Sequence, residues 1–146
     1  MSPKIKKRNF KKIRSFNLTK DKKIKLHFKG PFIANGNCFN IQIDEYFDRF
    51  TIDEQTSIIW HEYYHHTLFW GRLILMLKGF FNKYNAKKLE EFEADKYSAI
   101  NNGKLNLLKA LKRIEYLDKQ EIVKTDLKNH PPIKERIKRI KELNIK

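Results

Sequence analysis

Apolar and polar side chains alternate over residues 24–28, where Ile24, Leu26 and Phe28 stand against Lys25 and His27. A period of two marks a strand with one buried face. Lys29-Gly30-Pro31 and Asn35-Gly36-Asn37 are turn signals. Residues 38–44 alternate again and form a second expected strand. The two strands are expected to pair as a small antiparallel sheet.

From Thr51 the pattern becomes helical. The Thr51 hydroxyl can cap a first turn, and Glu54 three residues on completes a capping box. Asp53 and Glu54 suit the positive end of the helix dipole. Ile58, Ile59, Tyr63 and Phe69 supply apolar side chains, and the helix is expected to run towards Gly79. A second helix is expected over residues 86–100, ended by Asn101-Asn102-Gly103. A third covers residues 104–118. A polar loop leads to Pro131 and Pro132, which a first helical turn tolerates, and a last helix runs to about Leu143. The expected class is α+β, mostly α, in one domain over residues 24–146, preceded by a weakly structured basic arm, residues 1–23.

Charge sharpens the picture at one end. Residues 1–30 hold twelve Lys or Arg and one acid, a net of +11 out of the chain's +15. Such a run reads either as a solvated surface or as a contact with nucleic acid, an anionic lipid surface or an acidic partner. Phe10, Phe16 and Phe28 interleave it and fit anchors to a core better than stacking platforms. The most apolar stretch, residues 67–81, carries Arg72 and Lys78 and is too short to span a bilayer. A single cysteine, Cys38, excludes an intrachain disulfide framework and a zinc ribbon. No apolar segment of signal-peptide type follows the basic N-terminus, so the expected location is a reducing cytoplasm.

The chemistry begins at His61-Glu62-Tyr63-Tyr64-His65, an H-E-x-x-H pattern inside the first helix. Residues four apart share a face, so both imidazoles can reach one metal ion at about 2 Å. Glu62 is rotated about 100° from His61, beside such an ion, where it can take a proton from water. A catalytic zinc needs a third protein donor and an open position. Glu91 and Asp95 lie one turn apart on the second helix, with the small Ala94 between them. One carboxylate can ligate while the other accepts the N–H of a ligating histidine. The bland alternative is that Glu90, Glu91, Glu93 and Asp95 balance nearby lysines.

With His61-Glu62-x-x-His65, Glu91-Phe92-x-Ala94-Asp95 and His130-Pro131-Pro132 followed by Glu135-Arg136-Ile137, the chain resembles the gluzincin metallopeptidases of the HtpX and CAAX-prenyl-protease type. The three signatures fall in that family's order and cover roughly residues 38–143. The resemblance implies a zincin-like fold with His61, His65 and Glu91 as zinc ligands, Glu62 as general base and Asp95 supporting a ligand histidine. Those relatives carry transmembrane helices. Without them, this chain looks most like the soluble single-domain minigluzincins.

His130 has two readings: a second donor to a developing oxyanion, or a residue fixed at a helix start by Pro131 and Pro132. Tyr63, Tyr64 and Tyr97 read as core. His66 points about 100° away from His65 and is not an expected ligand. Cys38 reads as an inert thiol. The functional expectation is a Zn2+-dependent endopeptidase acting on a peptide or protein substrate, with residues 38–44 as the edge that holds it. Two rivals stand beside it. One is a latent or non-catalytic zinc-binding regulatory protein, its cleft covered by its own terminal segment. The other is a nucleic-acid-associated peptidase of the ImmA/IrrE kind, which the basic arm favours.

Overall fold

The computed structural model describes residues 13–28, 33–36, 40–67, 83–123 and 130–145. They form an α+β, mostly helical unit with four strands: β1 (Ile13–Asn17), β2 (Lys23–Phe28), β3 (Ala34–Gly36) and β4 (Ile41–Ile43). A short 3-10 turn, Phe47–Arg49, leads to four helices: α1 (Ile52–Thr67), α2 (Lys83–Asn102), α3 (Lys104–Lys119) and α4 (Ile133–Glu142). No described helix is long and apolar enough to cross a membrane. The expected run of the first helix beyond Thr67, and Cys38, lie outside the described residues.

The sheet order is β1-β2-β4-β3, which corrects two expectations. The sheet is mixed, because β4 pairs in parallel with β2 and antiparallel with β3. The Asn35-Gly36 pair belongs to a strand rather than a turn, and it is β3, not β2, that pairs antiparallel with β4. In consequence β4 is an inner strand, and β3 and β1 are the two edges.

The third correction concerns the basic arm. Residues 13–17 are a strand, paired antiparallel with β2 from Ile13↔His27 to Asn17↔Lys23. Phe16 and Leu18 are buried, and the Phe16 ring meets Phe47 edge-on at 6.1 Å. Arg14 settles its charge on Asp48 at 2.6 Å and lies over the Phe47 ring. Charge density on one face of this segment did not prevent burial of the other. Residues 1–12 lie outside the described residues.

The alternation in β2 and β4 works as expected: Leu26, Ile41 and Ile43 turn inward in register. They pack with Phe47, Phe50, Ile58, Ile59 and Trp60 into the main core between the sheet and α1. A second cluster joins the remaining helices through Ala99, Leu107, Leu111, Ile133, Ile137 and Ile140. α1 is thus covered on several sides, which is why its polar residues Ser57, His61, Glu62 and His65 are buried with its apolar ones.

Helix ends are held by specific bonds. Thr51 N–H donates to Glu54 Oε2 at 2.8 Å and Glu54 N–H to Thr51 Oγ1 at 3.4 Å, the expected capping box. Glu54 also meets Arg113 of α3 at 3.0 Å. Gly103 closes α2 at φ +89°, a conformation L side chains rarely adopt, with its N–H on Ala99 O at 3.0 Å. α3 starts at once, and Lys104 donates to the carbonyls of Lys141 and Leu143 at the end of α4.

Candidate metal centre

Two helices and the entry to a third supply the site. α1 contributes His61 and His65, one turn apart, with imidazole centroids at 4.9 Å. α2 contributes Glu90, Glu91 and Asp95. His130 precedes α4, and Arg136 lies on it. His61, His65, Glu91, Asp95 and Arg136 are all buried.

The two histidines turn Nε2 inward, 3.2 Å apart. Glu91 reaches both: Oε2 is 3.3 Å from His61 Nε2 and Oε1 is 3.1 Å from His65 Nε2. On the outer side each ring has its own carboxylate. His61 Nδ1 is 2.8 Å from Asp95 Oδ1, and His65 Nδ1 is 2.7 Å from Glu90 Oε1. A neutral imidazole has one N–H. With that proton on Nδ1 facing a carboxylate, both Nε2 atoms are lone-pair donors facing each other and Glu91.

The charges follow from this crowding. Burial pulls the His61 imidazole down, yet the Asp95 and Glu91 carboxylates outweigh it and push the pKa up to about 10. His65 is raised as well, burial being outweighed by Glu90 and Glu91, with Glu62 adding its charge. Burial alone would raise Glu91, but the nearness of His130, His61 and His65 holds it far below the usual carboxylate range. Asp95 is likewise lowered against burial, chiefly by Arg136. The pocket therefore favours positive charge between its donors.

His61, His65 and Glu91 form a group that could hold a metal ion, and among the described residues no further His, Cys, Asp or Glu joins it. Their spacing suits a tetrahedral ion. Donor bonds of about 2.0–2.1 Å place tetrahedral donors about 3.3 Å apart. The two imidazole nitrogens are 3.2 Å apart, and the Glu91 carboxylate straddles them, Oε2 at 3.3 Å from His61 and Oε1 at 3.1 Å from His65, with one donor atom per residue falling within 4.8 Å of the others. Glu91 Oε2 is also buried without a hydrogen-bond partner. Nitrogens crowd it all the same: His130 Nδ1 at 2.9 Å, His61 Nε2 at 3.3 Å and Arg136 Nη1 at 3.9 Å.

No protein-family model, curated protein or solved structure matches the chain. The reading therefore rests on the site's own geometry.

All six residues singled out in the sequence come to this region. Glu62 follows His61 on α1, is buried, and its charge acts on both His65 and Arg136. His130 brings Nδ1 to 2.9 Å from Glu91 Oε2, but the two are not aligned for a hydrogen bond, and its side chain stays 40% exposed. His66 stands outside the donor group, with its ring 6.3 Å from Tyr63. The tyrosines form an aromatic buttress: Tyr97 lies 5.7 Å from Trp60 and 5.6 Å from Tyr64, which is 5.9 Å from His65.

Sequence reasoning gave no role to Arg136 or Glu90. Arg136 grips Asp95 with two hydrogen bonds, Nη2 to Oδ1 at 2.6 Å and Nε to Oδ2 at 2.8 Å. It had a signal: Ile133, Arg136, Ile137 and Ile140 are one helical stripe, and an arginine in an apolar stripe requires a buried partner. Glu90 had none beyond its neighbour, since a carboxylate beside a ligand can face either solvent or the site.

Proposed function

We propose that this chain is a zinc-dependent endopeptidase of zincin-like architecture, with His61, His65 and Glu91 holding the ion. The observation that carries the reading is the convergence of these three buried side chains, one donor atom from each lying within 4.8 Å of the others, with the Glu62 carboxylate on the helix of the two histidines. Three protein donors leave a tetrahedral ion one position for water or substrate, as catalysis requires. When bound, zinc would polarise the scissile carbonyl and acidify water at its open position.

The chain's own groups would do the rest. Glu62, rotated off the ligand face, accepts the water proton and returns it to the leaving amine. Asp95 and Arg136 keep the His61 ring in place. His130, partly exposed beside Glu91, donates to the oxyanion that develops at the carbonyl. An extended peptide pairs with β3 through main-chain hydrogen bonds. β3 replaces residues 38–44 in this role, because β4 already has a strand on each side.

Metal analysis of the purified protein together with digestion of an unbiased peptide library tests the reading. About one zinc per chain and internal cleavage are expected. Zinc without cleavage favours the latent or non-catalytic alternative, and absence of zinc removes the proposal.

A further inference from the structure

His61 and His65 are supported alike. Each turns Nε2 towards Glu91 and has a carboxylate at Nδ1, Asp95 at 2.8 Å for His61 and Glu90 at 2.7 Å for His65. The arrangement follows from two antiparallel helices. Along α1 the number rises from 61 to 65, while the opposing residues on α2 fall from 95 to 90. Glu91 faces the gap between the rings. Asp95, one turn further on, passes outside His61, and Glu90, about 100° round the helix from Glu91, passes outside His65.

We infer that Glu90 is a positioning residue for His65, holding its proton on Nδ1 so that the Nε2 lone pair points at the metal position. This rests on the metal-binding reading above. A neutral imidazole places its single proton on either nitrogen, and only a bond at Nδ1 reserves Nε2 for a metal. The His65–Glu90 contact is well formed for that task. It is short, and the Glu90 side chain is only 21% exposed, so water competes weakly for it. The two ligands are thereby fixed from one helix: α2 supplies the third donor and the support of both the others.

Glu90→Ala and Glu90→Gln test this. Zinc affinity is measured by chelator competition, the metal-free fold by thermal unfolding, and the imidazole N–H groups by ¹⁵N-resolved NMR of the zinc-loaded protein. Loss of such a support costs about 10- to 100-fold in metal affinity, and Glu90→Ala is expected to show that loss with the metal-free fold unchanged. The amide oxygen of Glu90→Gln still accepts from Nδ1–H, so this variant should recover most of the affinity. The downfield His65 Nδ1–H signal should vanish in the alanine variant and move upfield in the glutamine variant, with His61 undisturbed. Wild-type affinity in Glu90→Ala overturns the inference. So does a loss in Glu90→Gln equal to that in Glu90→Ala, or a matching loss of metal-free stability. If wild type takes up no zinc, the functional reading itself fails and this inference with it. Zinc bound equally by wild type and Glu90→Ala removes only the role of Glu90.

Discussion

Arg136 and Asp95 form a buried, two-bonded ion pair, Nη2 to Oδ1 at 2.6 Å and Nε to Oδ2 at 2.8 Å, and the same Oδ1 accepts the Nδ1–H of His61 at 2.8 Å. The last helix thus reaches the candidate metal centre through one carboxylate. Removing one partner of such a pair leaves a buried charge uncompensated, a loss of about 3–5 kcal/mol. Arg136→Met should destabilise the protein by about that much in denaturant unfolding, and Arg136→Lys should recover only part of it, because a lysine cannot reproduce the fork. A loss below about 1 kcal/mol for Arg136→Met would be too small for a buried pair and would contradict this geometry. The α4 helix is also part of the second core cluster, so trimming it would remove support from the site as well as any cover over it.

His65→Ala should lose the metal. Its Nε2 is within 3.2 Å of the other two donors, and two donors do not hold a structural or catalytic zinc. Zinc content measured after gel filtration checks it, and full occupancy would strike His65 from the donor set.

Glu62→Gln should keep zinc and fold but lose hydrolysis by about 10²- to 10⁴-fold. Glutamine matches the size of Glu62 but cannot take a proton from water at neutral pH. Cleavage of a library-derived peptide at unchanged rate would show that another group is the base.

Phe16→Ala tests the corrected status of the N-terminal strand. Phe16 is buried against Phe47, and truncating a core Phe costs about 3–5 kcal/mol. Equilibrium unfolding should show such a loss. An effect below about 0.5 kcal/mol, typical of a surface change, would return residues 13–17 to the status of a dispensable arm.

Asp44 gives the stability a pH dependence of its own. Burial raises its carboxyl from 3.8 to about 6, against the backbone N–H groups of Tyr46 and Phe47, which favour the ionised form. A pKa raised on folding stabilises fully below the unfolded value and loses that contribution as pH rises through the folded one. The window is therefore about pH 4 to 6. Asn accepts the Tyr46 N–H, now 2.8 Å from Asp44 Oδ1, without ionising. Asp44→Asn should gain stability relative to wild type as pH rises across that window, read from denaturant midpoints at several pH values. A constant difference would show that Asp44 titrates normally.

The sequence by itself determined the local features. Thr51 and Glu54 predicted the start of α1, Gly103 the end of α2, and the alternation at Leu26 and Ile41 the inward faces of two strands, because capping, left-handed φ and side-chain period act over a few residues. The His61–His65 spacing put two imidazoles on one helical face for the same reason. Only the tertiary structure decided the parallel pairing of β2 with β4, the pairing of residues 13–17 with β2, and the bonds of Glu90 to His65 and Arg136 to Asp95. Those depend on which faces meet across tens of residues of chain. A carboxylate or guanidinium becomes a positioning group only when packing removes the water that would otherwise satisfy it.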